Sequence, residues 1–247
     1  QYAEGFRSPD YESANISFTN FAFYYSVAPN PNLDSEESDG YEIGLRGNNI
    51  LGSSRLNWSL VYYENDYEDF IDTQLTGRSP RGISIYQYVN LNDVTIDGFE
   101  FEVQALINEN YSLYVGYSNS DGEQNGEKLI SIDPDQTIIG LNWSSDTGRF
   151  NIRGFANITE GSIDGLAPVC GRSGCSNLVE TPGRATFDLF FNANISDNIA
   201  LNMAIRNITN EKFYDWASIN GKTVDDPELE LYSNSGRTFS ASIKYIF

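Results

Sequence analysis

Two sets of carboxylates stand at spacings that chemistry could use. Glu100 and Glu102 lie two apart in GFEFEVQALI, and Glu64, Asp66 and Glu68 alternate in YENDYED. Side chains two apart share one face of a strand, and a paired acid and carboxylate can do general acid–base work. The plainer role for both sets is a solvated wall and a loop rim. The chain contains no histidine. Ser-His-Asp triads, histidine acid–base chemistry and histidine metal ligands therefore drop out together. Two cysteines, Cys170 and Cys175 in VCGRSGCS, are close enough to close a small disulfide loop, with Gly171 and Gly174 easing the turn. Such a bridge implies an oxidising compartment, and a metal centre would lack further Cys or His. No glycine-rich phosphate loop leads from a strand into a helix. The residues favour a protein that is not an enzyme and holds no metal or intrinsic cofactor.

The elements that must position these groups are strands. GFEFEVQALI sets Phe99, Phe101, Val103, Ala105 and Ile107 against Glu100, Glu102 and Gln104. NIALNMAIRN sets Ile199, Leu201, Met203 and Ile205 against Asn202 and Arg206. The closing GRTFSASIKYIF sets Phe239, Ala241, Ile243, Tyr245 and Phe247 against Ser240, Ser242 and Lys244. A period of two recurs along the chain and no segment shows a helical period of 3.6. About ten strands are expected. Short turns such as INENY, SSDTG and ISDN alternate with long connections such as DTQLTGRSPRGIS and WASINGKTVDDPELELYSNSG. Counted back from Phe247, every long connection falls at the end opposite the C-terminus. Outer-membrane barrels are built this way, with short periplasmic turns and long extracellular loops.

Composition agrees. No run of about 18 apolar residues exists, which excludes a transmembrane helix but not a barrel, whose strands need about 9–11 residues with one apolar face. Aromatic residues make up 14% of the chain, enough to supply interface girdles. Glu42, Arg46, Glu100, Glu102, Arg153, Asp188, Arg206 and Lys244 occupy the polar faces. Charges of both signs there cannot meet lipid, where a midplane Arg or Lys costs about 2–4 kcal/mol. They must face a wet interior or a protein that fills it, with the apolar face turned outward. The net charge of −20 argues against nucleic acid. It sits largely in acidic runs that read as solvated loops, or as loops meeting cations or a cation-bridged lipopolysaccharide layer.

Several segments resemble one family. Phe6-Arg7-Ser8-Pro9 is similar to the FRAP box and Asn30-Pro31-Asn32-Leu33 matches the NPNL box of TonB-dependent outer-membrane receptors. DSEESDGYEIGLRG, NLNDVTIDGFEFEVQ and RNITNEKFYD resemble later segments of the same family, in the same order. The resemblance implies an all-β, transmembrane antiparallel barrel. Residues 1–247 would be the C-terminal part, about ten strands of a 22-stranded plugged barrel. The plug domain and TonB box are not expected in these residues, and Gln1-Tyr2-Ala3 reads as the middle of a longer chain. Phe247 resembles the terminal aromatic read by the barrel-assembly machinery.

The implied function is TonB-dependent uptake of an iron compound at the bacterial outer membrane. The transported ligand would be haem or a ferric siderophore, haem slightly ahead. The alternative is a stand-alone or scaffold barrel without active transport. Haem receptors of this type carry a histidine between the two boxes. DYESANISFTNFAFYYSVAP has none, but tyrosine also holds haem iron. Tyr24 or Tyr25 could substitute, or both are ordinary loop aromatics. The candidate ligand contacts are Tyr11, Tyr24, Tyr25, Arg78, Arg81, Arg172, Tyr214, Trp216 and Tyr232: aromatics to stack on a planar ligand, arginines to pair its carboxylates. Expected partners are outer-membrane lipid and lipopolysaccharide, the TonB complex through the absent part, and the assembly machinery through Phe247.

Overall fold

The computed structural model describes residues 1–21, 25–161, 169–171 and 174–246. The alternating segments form ten antiparallel strands of one sheet. These are β1 (Tyr2–Arg7), β2 (Glu36–Leu51), β3 (Ser54–Glu68), β4 (Val94–Leu106), β5 (Tyr111–Gln124), β6 (Gln136–Ser144), β7 (Phe150–Thr159), β8 (Arg184–Ser196), β9 (Ile199–Arg206) and β10 (Thr238–Tyr245). Each pairs with its neighbours in chain order, and β1 and β10 are the edges of an open wall. Residues 52–53, 107–110, 145–149 and 197–198 connect the strands at one end. Residues 8–35, 69–93, 125–135, 160–183 and 207–237 connect them at the other. The alternation expected from the sequence therefore holds along the whole wall. The two-residue turn after β2 depends on Gly52, whose φ of 65° suits a residue without Cβ.

The register lines up like residues across the wall. One rung runs Leu56, Ala105, Leu113, Leu141, Gly154, Leu189, Ile205, Phe239. A rung on the opposite face runs Ser144, Asn151, Asn192, Asn202, Ser242. The second face bonds to itself. Asn142 donates to Ser112 Oγ at 3.3 Å, Asn151 to Asn142 Oδ1 and to Ser144 Oγ at 3.0 Å, and Asn192 to Asn151 Oδ1 at 3.3 Å. The apolar face is exposed: Ile43 is 71% exposed and Ile243 is 74% exposed. Among the described residues, both apolar clusters of buried side chains gather at the long-connection end, the first reaching the wall through Val94 at the start of β4. This is the inverse of a soluble barrel, whose apolar side chains fill the middle.

The apolar face ends sharply toward the long connections. Tyr41, Glu64, Asp97 and Asp121 share a rung there. Tyrosines at the boundary donate outward to carboxylates: Tyr2 to Asp39 at 2.7 Å, Tyr62 to Glu64 at 2.8 Å and Tyr117 to Asp135 at 2.6 Å. A ring in hydrocarbon with its hydroxyl in water is the normal state of an interfacial tyrosine. The two carboxylate sets are thus separated. Glu100 and Glu102 are on the polar face of β4, while Glu64, Asp66 and Glu68 share the side of Tyr62, beyond the apolar band. Among the described residues no cluster of three or more acidic, Cys or His side chains is placed to hold a metal ion.

Candidate functional site

The long-loop end is built from two groups of connections. Residues 8–35 and 69–93 combine into a four-stranded sheet in the order Phe18–Asn20, Tyr25–Ala28, Ser84–Leu91, Phe70–Arg78. Tyr25–Ala28 runs parallel to Ser84–Gln87, so two separate loops share one ladder. The hairpin within 69–93 turns at Ser79-Pro80-Arg81-Gly82. Gly82 N–H donates to Ser79 O at 2.9 Å, and Ser79 N–H donates to Ile83 O at 2.9 Å. Pro80 presets the first turn position, and Gly82 accepts a φ of 83°.

Both recognised boxes hold this sheet in place. Arg7 of the first pairs with Glu36 at 2.8 Å, and the same Glu36 carboxylate accepts Ile71 N–H at 3.0 Å. Asn30 of the second donates to Tyr88 O at 2.9 Å. Asn90 donates to Asp69 O at 2.7 Å and accepts Asp34 N–H at 2.9 Å. These are staples between the return of one loop and the hairpin of the next. The sequence identified the boxes but carried no sign of this role, because their partners are 29 and 58 positions away.

Residues 125–135, 160–183 and 207–237 form the second group. Trp216, 3% exposed, packs with Val179 and Ile219 and donates its indole N–H to Ile130 O at 2.8 Å. Val179 N–H donates to Lys222 O at 2.8 Å and Val224 N–H to Asn177 O at 3.0 Å. Lys212 pairs with Glu230, which also accepts from the Tyr214 hydroxyl at 3.3 Å. That contact raises the Lys212 ammonium and lowers the Glu230 carboxyl from their ordinary values. Lys222 lies 4.2 Å from the Tyr232 ring centroid and 3.5 Å from Asp226. Burial pulls Lys222 down, but Tyr232 and Asp226 outweigh it and the group is raised overall. Cys170 and Cys175 stand opposite each other in the small hairpin Val169–Gly171 and Gly174–Ser176.

Loop 125–135 joins the two groups. Leu129 enters the cluster of Leu91 and Val94, flanked by Tyr67, Phe70, Ile96 and Ile132. Its neighbour Ile130 packs against Trp216 and its partners. By strand alternation Tyr67, Val94 and Ile96 lie on the polar side of the wall, so the first cluster closes over that side.

The predicted contacts fall into these groups rather than into one pocket. Tyr11 opens the short helix Tyr11–Asn15 and is 85% exposed. Asp10 caps that helix through Ser13 N–H at 2.6 Å, a bond that lowers its carboxyl from the ordinary value. Tyr25 is half-buried, edge-on to Phe18 at 5.5 Å and to Tyr86 at 6.4 Å. Arg78 and Arg81 both lie at the hairpin tip, and both are exposed. Tyr214, Trp216 and Tyr232 are engaged within loop 207–237, Trp216 with its ring enclosed. Tyr24, Arg172 and Phe247 lie outside the described residues. The cations at this end differ in one respect: Arg7, Lys128, Arg184, Lys212 and Lys222 are ion-paired. Arg78 and Arg81 at the hairpin tip, and Arg237 just before β10, have no ion pair among the described residues.

Comparison with known proteins gives one family and one fold. The model of the family "TonB dependent receptor-like, beta-barrel" matches residues 1–208. Hemoglobin-haptoglobin utilization protein B of Neisseria meningitidis serogroup A is 23% identical over 288 residues, covering 100% of this chain and 35% of the relative. Hemoglobin and hemoglobin-haptoglobin-binding protein A of Haemophilus influenzae is 24% identical, covering 88% of this chain and 21% of the relative. The chain thus spans about a third or less of the length of these relatives. Among solved structures, the copper transporter OprC superposes with a TM-score of 0.73 at 18% identity, covering 100% of this chain and 35% of that one. The pyoverdine outer membrane receptor FpvA from Pseudomonas aeruginosa PAO1 gives 0.68 at 18% identity, covering 100% and 33%. With ten strands wound in series, an outward apolar band and a family match over most of its length, the chain belongs to the TonB-dependent receptor β-barrel family of the bacterial outer membrane.

Proposed function

We propose that the chain is the ligand-facing barrel sector of a receptor that takes up an iron compound, haem or a ferric siderophore. The relatives named for haemoglobin–haptoglobin, with the structural neighbour named for pyoverdine, support that substrate class. One observation carries the reading. The outer loops are a stapled platform that ends in a preset turn carrying two arginines without ion pairs among the described residues, on a face where Arg7, Lys128, Arg184, Lys212 and Lys222 are paired. Guanidinium forks match carboxylates, and exposed Tyr11 offers a ring to a planar ligand. Tyr25, Tyr214 and Trp216 act behind this face as packing, and Tyr232, Tyr24 and Arg172 are further ligand contacts. Residues 1–247 are then the C-terminal part of a 22-stranded barrel, served by a plug and a TonB-contacting box elsewhere in the receptor. The Cys170–Cys175 bridge closes its loop on the oxidising side, Phe247 engages the barrel-assembly machinery, and the acidic rim faces lipopolysaccharide. The protein transports and does not catalyse.

The test is binding by the intact receptor. Purified receptor titrated with haemin develops a shifted Soret band, or with a ferric siderophore quenches its own fluorescence. The paired change Arg78→Gln with Arg81→Gln weakens whichever ligand binds by about tenfold or more, the scale of a lost charge-assisted contact. Unchanged affinity for both ligands in that variant overturns the assignment.

A further inference from the structure

The polar face of β7–β9 holds an arrangement that the uptake reading leaves unused. Phe190 of β8 stands opposite Arg153 of β7, whose guanidinium carbon lies 5.7 Å from the ring centroid. Arg206 of β9 approaches the same ring at 5.8 Å. Phe155 meets it edge-on, with centroids 5.8 Å apart. Neither arginine has an ion-pair partner among the described residues. Asp188, two positions from Phe190 on the same face, is already engaged by Asn207 N–H at 2.8 Å and Asn157 Nδ2 at 3.4 Å. The neighbouring asparagines bond to one another. Lys244 of β10 adds a further cation to this face without an ion pair among the described residues. In a chain of net charge −20, this sector of the inner wall has its Asp188 carboxylate hydrogen-bonded by Asn207 and Asn157 and its guanidiniums without an ion pair among the described residues. Two like charges around one ring repel each other, and an anion between them removes the repulsion.

We propose that Arg153, Phe190 and Arg206 form an anion site on the inner wall of the barrel that takes a carboxylate. Each guanidinium presents a planar fork that fits two oxygens. The ring between them offers an apolar floor and no donor for further oxygens, which favours a planar carboxylate over a tetrahedral phosphate. The carboxylate comes either from an acidic side chain of polypeptide inside the lumen or from a free carboxylate anion. The site stands independently of which ligand the outer loops take.

Arginine modification by phenylglyoxal, mapped by mass spectrometry on receptor purified from outer membranes, tests this. An engaged Arg153 is shielded. The Arg206→Gln change releases the shared anion and speeds Arg153 modification about tenfold, the scale of a lost bond to a charged group. Arg206→Lys keeps the charge and retains most of the shielding. Arg149, which precedes β7 and lies off the ring, keeps its rate in every variant. Shielding seen with no added anion assigns the carboxylate to polypeptide. Shielding that appears only with excess succinate assigns it to a free anion. Arg153 that reacts at one rate in all variants, with or without succinate, overturns the proposal. So does an Arg206→Gln protein in which Arg149 accelerates as much as Arg153, because that marks general loosening.

Discussion

Side chains at the loop end divide into those that hold and those that are held out. Trp216→Ala removes an enclosed indole and the shorter of two hydrogen bonds to Ile130 O, leaving Asn220 Nδ2 at 3.5 Å, at a local cost of about 3–5 kcal/mol. The expected outcome is faster protease cleavage within 125–135 and 207–237, with the barrel intact. Glu36→Gln loses the Arg7 ion pair but can still accept Ile71 N–H. Because the Arg7 side chain is 60% exposed, solvent already screens that pair, and the cost is about 1 kcal/mol. The pair Lys212–Glu230 has a defined pH window. Glu230 is lowered, so its contribution is full above the ordinary glutamate value and is lost as pH falls through the lowered one. Lys212 is raised, so its contribution is full below the ordinary lysine value and is lost as pH rises through the raised one. Hydrogen exchange in loop 207–237 is therefore slowest between those limits, and Glu230→Gln removes the acid-side change. Asp72 behaves oppositely to Glu230: burial raises it, so the hairpin is favoured at low pH and loses stability as pH rises through the raised value. At this scale the sequence told little. Tyr11 and Trp216 look alike as loop aromatics, yet one is bare and the other enclosed. Without a period to read, no local signal separates them.

Among elements, the ten strands were legible and the loop sheet was not. Each wall strand carries its own alternation and pairs with its neighbour in the chain, so pattern and topology coincide. DTQLTGRSPRGIS reads as a long connection, but residues Phe70–Arg78 within and before it form a strand. Its hairpin docks in parallel on Tyr25–Ala28, a pairing between distant segments that periodicity does not report. The SPRG turn was the available signal, with proline and glycine at the positions a tight turn requires. A β-branched residue at Gly82, such as Gly82→Val, is strained at a φ of 83° by about 1–2 kcal/mol. The expected result is a disordered tip, weaker ligand binding in proportion, and unchanged barrel assembly on the gel.

For the molecule as a whole, the inside-out pattern was the strongest message in the sequence, because rungs of leucine and asparagine on opposite faces leave only one arrangement in a bilayer. Ile139 lies on the apolar face between the Tyr117 rung and the Tyr111–Trp143 pair. Ile139→Arg therefore costs about 2–4 kcal/mol in lipid. Ser118→Arg, on the other face beside Glu100, costs little. Refolding the receptor into liposomes and comparing urea midpoints separates the two. Leu129 and Ile130 give the loop end one more property. Adjacent residues serve opposite neighbours, so the strap between them tolerates substitution but not a change in length. Losing one position ahead of this pair would displace both anchors at once and unhitch the two halves of the mouth. Natural variants of this surface should accordingly drift by swaps near the strap and by gains or losses of residues only at outlying tips.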